Sequence, residues 1–362
     1  MTKSELFSIV INEPDHEVQK RSGEHWDALA KPIDGLGLLE KSITQIASIR
    51  GKVCPDIGKK AIVIMCADNG IYEEGISQTS QQVTRDVAEL MGNRRSSVGV
   101  MAQGYPADFF IYDVGINSEE TVEGIIPARI NDGTENFLRA PAMSEEECLA
   151  AIKTGIDAVK KCCDKGYSLI GTGEMGIGNT TTSTALVCAL LGLEPSEHTG
   201  RGAGLSDDGL FHKIQVVEEG LKRHGFFCRD KEVTDKEEAF RALMCLGGFD
   251  IAALAGVYIG GALYHVPIVM DGLICATAAL TAEMLLPGCR EFMIPSHIGR
   301  EKAMKKVMEK LSLRPAISAE LALGEGTGAL LLFPMLDMAM NLYRAGTFFE
   351  DTDITQYERF DA

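Results

Sequence analysis

Residues 61–70 read Ala-Ile-Val-Ile-Met-Cys-Ala-Asp-Asn-Gly, and this stretch decides the fold. The first seven are uninterrupted apolar residues, β-branched in the first half, and the last three are loop formers. A short apolar run without polar alternation predicts a strand buried on both faces, opening into a loop at its C-terminal end. The same form recurs three times. Asp108-Phe-Phe-Ile-Tyr-Asp-Val114 ends at Gly115, Tyr167-Ser-Leu-Ile170 ends at Gly171-Thr-Gly173, and Val266-Pro-Ile-Val-Met270 ends at Asp271-Gly272. Helical patterns over Ser144–Lys165 and Thr180–Leu191 lie between them. Strands alternating with helices predict an α/β fold with a mainly parallel sheet. In such folds ligands sit at the C-terminal ends of the strands, where each of these loops lies.

Outward from the strands the pattern changes. Residues 1–57 read as helical, with apolar spacing over Gln19–Ala30 and Gly37–Arg50 separated by Lys31-Pro-Ile-Asp-Gly-Leu-Gly37. From 317 onward the chain reads as helical again, with one long helix over Ala329–Ala345. The expectation is a Rossmann-like large α/β substrate-binding domain over 58–316, with 1–57 and 317–362 joining as a smaller helical domain. The charged region 214–240, including Lys231-Glu-Val-Thr-Asp-Lys-Glu-Glu238, is expected to be a solvated excursion.

The 362 residues are 45% hydrophobic, ample for a sizeable core, and carry a formal net charge of −17. That surface repels phosphate backbones and argues against a nucleic-acid partner. A small anionic substrate remains compatible, because backbone N–H groups in a local nest oppose the global field. The N-terminus has no secretory leader pattern, and no stretch has the roughly 18–20 uninterrupted apolar residues of a membrane span. A soluble, cytoplasmic protein is expected. Ten cysteines, none in a Cys-x-x-Cys pair, predict reduced structural thiols, and seven histidines without ligand spacing predict no metal site. No cofactor is expected.

Three segments carry the chemistry. Gly171-Thr-Gly-Glu-Met-Gly-Ile-Gly-Asn-Thr-Thr-Thr182 follows a strand and opens a helix. Its glycines admit a ligand close to the backbone, and the helix start offers N–H groups and a positive dipole end to an anion. The segment also matches Gly-x-Gly-x-x-Gly, which invites a dinucleotide-dependent oxidoreductase. That fingerprint requires an acid about 20 residues on, at the end of a second strand. Glu194 has the spacing, but it sits in loop-forming Leu193-Glu-Pro-Ser-Glu-His-Thr-Gly200. The second segment, Gly200-Arg-Gly-Ala-Gly204, precedes a helix starting near Ser206. Two turns into that helix, Lys213 reaches either a phosphate or solvent. The third is Leu323-Gly-Glu-Gly-Thr-Gly328. Glycines on both sides of Glu325 let a flat substrate lie close, and apolar neighbours desolvate the carboxylate toward the range useful for proton abstraction. The competing reading makes Glu325 a helix-start acid held by the dipole of a helix beginning near Thr327. Local sequence leaves the two open. Asp271, directly after a strand, is placed to hold a ribose hydroxyl, and Pro295-Ser-His297 is a turn at the end of another apolar run, either of whose polar side chains could face the same cleft.

Read in order, these segments resemble the nicotinate-nucleotide–dimethylbenzimidazole phosphoribosyltransferases of cobalamin nucleotide-loop assembly. The matching pieces are Lys31-Pro…Gly35-Leu-Gly37-Leu-Leu-Glu40, Ala67-Asp-Asn-Gly70, Asp113-Val-Gly115, Gly173-Glu-Met-Gly-Ile-Gly-Asn-Thr-Thr181, Gly247-Gly-Phe-Asp250, Asp271-Gly272 and Leu323-Gly-Glu-Gly-Thr-Gly328. The resemblance implies that a benzimidazole nitrogen attacks the anomeric carbon of nicotinate mononucleotide and releases nicotinate. It implies Glu325 as the base, with Glu174 beside the ribose as support or secondary base. Gly176, Gly178, Asn179, Thr180 and Gly202 would hold the phosphate and ribose, with Lys213 near the phosphate and Asp271 and Ser296 completing that side. The loop Ser77–Gln82, with Thr79 and Ser80, would line the base pocket with Val87, Met175 and Leu323. Val87 stands where some relatives carry glutamine, so the accepted base stays open among benzimidazoles, purines and phenols. The resemblance also implies a homodimer. A non-catalytic nucleotide-binding protein of the same fold would keep the phosphate loops but has no need of Glu325.

Overall fold

The computed structural model describes residues 1–227 and 232–360; Cys228 and Lys231 lie outside the described residues. Six parallel strands form the main sheet: β1 (Lys60–Ala67), β2 (Ala107–Gly115), β3 (Ile126–Pro127), β4 (Leu169–Met175), β5 (Ile268–Met270) and β6 (Met293–Pro295). Their spatial order is β3-β2-β1-β4-β5-β6. The chain winds outward in opposite directions from β1 and β4, so a crevice opens between their C-terminal ends.

Strand β1 shows why the apolar run was needed. Ala61, Val63, Met65 and Ala67 enter one core, and Ile62, Ile64 and Cys66 enter the other. The first core is covered by helices that include Glu145–Asp164, Phe249–Leu263 and Leu273–Leu285. The second is covered by the helix Thr327–Ala345 and by His16–Ala28 and Leu38–Arg50. Both faces of the strand are therefore dry, and alternation disappears from the sequence although the side chains still alternate.

The chain ends meet on the second face. The Tyr343 hydroxyl bonds Ser22 Oγ at 2.9 Å and donates to the Val53 carbonyl at 2.8 Å, and its ring packs against Trp26 with centroids 4.7 Å apart. The first helix, Lys3–Phe7, lies elsewhere, with Phe7 edge-on to Phe240.

Several elements differ from the sequence reading. Gly171 and Gly173 are not loop residues: β4 continues to Met175, in register with β1 from Lys60↔Leu169 to Cys66↔Met175. The helix after it starts at Asn179, with Gly178 at φ 96° as its N-cap, so the threonines 180–182 lie inside the helix. Residues 317–326 are not helical. Ile317–Ser318 pairs with His297–Ile298, and the helix begins only at Thr327. The described residues of region 214–240 are no solvated excursion, because Val216, Val217, Leu221, Val233 and Phe240 are core residues. The charges within the helices Asp207–Arg223 and Lys236–Leu246 lie mainly on their outer faces, which a count of charge does not separate from a solvated loop. Among the described residues no helix is long and apolar enough to cross a membrane.

Candidate active site

A cleft of about 250 Å³ opens at the switch between β1 and β4. Its floor is the end of β4 and the start of the helix Asn179–Leu191, and one wall is the turn 321–327.

The turn carries Glu325 in an unusual backbone. Gly324, Glu325 and Gly326 all have positive φ, at 87°, 60° and 82°. Three successive left-handed residues need glycine wherever a side chain is not itself required, and Glu325 bears a strain of about 1–3 kcal/mol. Close packing makes the same demand. A Cβ on Gly324 would stand 2.7 Å from Glu174 Oε1, and one on Gly326 would stand 2.7 Å from Ile62 Cγ2. Across the interface, a Cβ on Gly173 would meet the Gly326 nitrogen at 2.7 Å. The first two glycines of the Gly-x-Gly-x-x-Gly match therefore make room for the Glu325 turn and the helix behind it rather than for a dinucleotide.

Glu325 is 9% exposed, and its Oε2 accepts from the backbone N–H of Val98 at 3.0 Å. It does not cap the helix behind it. That task falls to Asp271, whose Oδ2 accepts from Gly326 N at 3.0 Å and Oδ1 from Gly328 N at 2.7 Å. The two readings left open by sequence separate here: the helix-start acid is Asp271, and the Glu325 carboxylate faces the cleft.

Beside Glu325 lies a buried acidic cluster. The Asn179 amide donates to Glu174 Oε2 and, at 3.0 Å, to Asp250 Oδ2. Burial, and then the charge of Asp250, push the Glu174 carboxyl up to about 8. Burial raises Asp250 to about 7, against the bonds from Asn179 and the Ile251 N–H that lower it. Asp68 rises to about 6, again by burial, although it accepts from Thr84 and from the Asn117 N–H. Burial and the neighbouring negative charge thus favour the protonated form of Glu174 when no cation is near. A cation placed over this cluster would favour the ionised acids instead.

The opposite end of the cleft is cationic. Lys213 is 1% exposed and donates from Nζ to Thr180 Oγ1 at 2.8 Å. Among the described residues no carboxylate reaches it at ion-pair distance, and burial lowers its ammonium to about 8, partly offset by the charge of Glu301. The Gly202 backbone passes directly over this pair, since a Cβ there would lie 3.0 Å from Thr180 Oγ1 and 3.4 Å from Lys213 Nζ. A buried ammonium without a carboxylate partner, at a helix N-terminus, suits an anion supplied by a ligand.

Comparison with known proteins accords with this geometry. A family model described as phosphoribosyltransferase matches residues 11–354. The nicotinate-nucleotide–dimethylbenzimidazole phosphoribosyltransferases of Ruminiclostridium cellulolyticum and Acetivibrio thermocellus are 40% and 41% identical to this chain, each over 96% of it and over 97% and 96% of their own lengths. The crystal structure of CobT from Thermus thermophilus superposes with a TM-score of 0.86 at 33% identity, covering 94% of this chain and 100% of that one. The chain belongs to the nicotinate-nucleotide–dimethylbenzimidazole phosphoribosyltransferase family.

Within this phosphoribosyltransferase, the residues singled out from sequence divide into three groups. Glu174, Met175, Gly176, Gly178, Asn179, Thr180, Gly202, Val87, Leu323 and Glu325 all line the cleft. Lys213 stands just behind Thr180. Four residues are elsewhere. Asp271 is buried with both oxygens engaged by the 326–328 backbone, and Ser296 is buried against His297 Nδ1 at 2.9 Å. Thr79 and Ser80 are exposed and off the cleft, whereas Ile76, Ser77 and Gln78 of the same loop line it. Gln78 donates to the Gly204 carbonyl, joining that loop to the 200–204 loop across the mouth. Sequence reasoning did not place Asp250 or Arg201 in the site, whereas His297, of the 295–297 turn expected at the cleft, does line it. Asp250 opens a helix and reads as an ordinary first-turn acid; only its bond to Asn179 reveals the cluster.

Proposed function

We propose that this enzyme transfers ribose 5-phosphate from nicotinate mononucleotide to 5,6-dimethylbenzimidazole or a related aromatic base, giving the α-ribotide and nicotinate for the lower ligand of cobalamin or a related cobamide. The observation that carries the reading is the polarity of the cleft: a buried ammonium with a helix N-terminus at one end, and a shielded carboxylate on a strained turn at the other. In this reading Lys213, Thr180 and the Gly176–Gly178 and Gly202 backbone hold the 5′-phosphate, and Val87, Met175 and Leu323 form the apolar wall for the incoming base. The base nitrogen attacks C1′ from the face opposite nicotinate, so β becomes α. The C1′–N bond breaks, and its electron pair neutralises the pyridinium nitrogen. The N–H proton of the attacking base passes to Glu325. Glu174 and Asp250 supply negative charge beneath the ribosyl cation character that develops as the bonds exchange.

The family reading brings three further proposals. The helices at the two chain ends act as a small domain beside a Rossmann-like large one. The enzyme is cytoplasmic, where the free thiols among its described residues persist. It works as a homodimer, a proposal supported by Leu331, Met338 and Leu342, exposed apolar residues at helical spacing along Thr327–Ala345. Met338→Glu is expected to halve the mass seen by light scattering, and an unchanged mass would remove that face from the contact. An oxidoreductase is not supported, because Glu194 directly precedes the short helix Pro195–His198 instead of ending a strand.

The test is product detection. Purified protein is mixed with nicotinate mononucleotide and a panel of benzimidazoles, purines and phenols, and ribotides are sought by mass spectrometry. At least one α-ribotide with stoichiometric nicotinate is expected; no ribotide with any base would reject the function.

A further inference from the structure

Asp271 is buried beside the site with both carboxylate oxygens bonded, and the reaction as proposed gives it no chemical step. Its position after β5 suggests a sugar ligand, but its surroundings do not. The residue is 1% exposed. Its two carboxylate oxygens are bonded by Gly326 N and Gly328 N, which bracket Thr327 and immediately follow Glu325. A Cβ on Gly328 would fall 2.1 Å from His297 Nδ1 and 2.7 Å from Asp271 Oδ1, so imidazole and carboxylate press together on the first turn of that helix. His297 is in turn fixed by Ser296 Oγ at 2.9 Å.

The need for such a hold is visible in the backbone. Gly324, Glu325 and Gly326 are three successive left-handed residues, two of them glycines with wide conformational choice. Without an anchor this turn has many alternatives, and the Glu325 carboxylate would sample positions away from the Val98 N–H that now holds it. Asp271 grips the backbone on one side of Glu325, and Val98 grips the side chain.

We propose that Asp271 is a positioning residue for Glu325, holding the 324–328 turn so that the carboxylate meets the attacking base, and that it is not a ribose ligand. The proposal rests on the reading of Glu325 as the base. It assigns Asp271 an effect on turnover that exists only while Glu325 is present.

The experiment is a double-mutant cycle of Asp271→Asn and Glu325→Gln in the full-length protein, with kcat and KM for both substrates and a thermal midpoint for each variant. Asparagine keeps one acceptor oxygen but turns an amide donor toward the second N–H. The expected result is a fall in kcat of about 10–100-fold for Asp271→Asn, the scale of a catalytic group misplaced by about 1 Å. The KM for nicotinate mononucleotide should stay within about twofold of wild type. In the Glu325→Gln background the same substitution should change kcat little. A raised nucleotide KM at unchanged kcat would overturn the proposal in favour of a ribose contact, and losses that multiply in the double variant would overturn it in favour of independent roles. Wild-type turnover in Glu325→Gln alone would instead remove the base on which the proposal depends, and the single variant reveals this separately. Should Asp271→Asn fail to fold, Gly328→Ala goes through the same cycle, because its methyl group displaces the same latch. It is expected to show the same loss of kcat that vanishes without Glu325, and a loss that persists would overturn the proposal.

Discussion

Lys213→Met separates stability from function most sharply. In the folded protein, burial brings the Lys213 ammonium from its ordinary 10.5 to about 8. At pH 7 that depression corresponds to about 3 kcal/mol by which the buried charge disfavours folding. The sign follows from the direction: the penalty is complete below about 8 and disappears as pH rises through 10.5, where the unfolded chain also loses its proton. Methionine has similar length and no charge, so it removes the penalty while giving up the bond to Thr180, worth about 1 kcal/mol. The net expectation is about 2 kcal/mol of added stability for the substrate-free protein at pH 7. With an unfolding entropy of about 2.1 cal/mol/K per residue over 362 residues, this raises the thermal midpoint by about 3 °C. The same change should cost nucleotide affinity about 2–5 kcal/mol, or roughly 30- to several-thousand-fold, because the phosphate loses its buried cation. The assays are thermal unfolding without ligand at pH 7 and pH 10, and titration with nicotinate mononucleotide. A variant that is several kcal/mol less stable yet binds the nucleotide normally would refute the reasoning and make Lys213 a structural lysine.

Two further outcomes are expected. Val98→Pro removes the N–H that Glu325 accepts, at the second residue of the helix Ser97–Met101, where proline is tolerated; kcat should fall about tenfold with an unchanged melting midpoint, and unaltered kcat would show that this bond does not position the carboxylate. Glu174, Asp250 and Asp68 are raised to about 8, 7 and 6, so the folded state holds protons that the unfolded state releases. Their stabilisation is complete below their unfolded values near 4 and is lost as pH rises through 6–8. The contribution of these acids to the midpoint of the substrate-free protein should therefore decline from about pH 4 to about 8.5, with a shallower decline in Glu174→Gln, and identical profiles would contradict the assignment.

How much of this was legible in sequence depends on the range of the contact involved. Strand β1 was plain because burial on both faces removes every polar residue, a signal contained within the run 61–67. The glycines at 171 and 173 were visible but their reason was not: a glycine records that something lies close, and here that is the turn at 325–326 and the helix behind it, far along the chain, which no local pattern names. Asp271 was correctly placed at a strand end, yet its bonds to Gly326 and Gly328 could not be read there, because a residue so placed is equally able to face a cleft or to be covered. Lys213 stayed open between phosphate and solvent in the sequence, and its burial removes the solvent reading. In the loop 77–82 the chemistry was assigned to Thr79 and Ser80, whereas Ser77 and Gln78 line the cleft, because loop curvature has no period to read. Glu325 carried both of its readings in the same short segment, and the bonds of Asp271 to the 326–328 backbone take the helix-start role from it.

The most direct test of the central claim is the turnover of Glu325→Gln against wild type at about pH 8, with saturating nicotinate mononucleotide and the base that wild type prefers, alongside the nucleotide affinity of both proteins. The account predicts a fall in kcat of about 10²–10⁴-fold, the usual worth of a general base, with nucleotide affinity preserved. Turnover within a few-fold of wild type would contradict it.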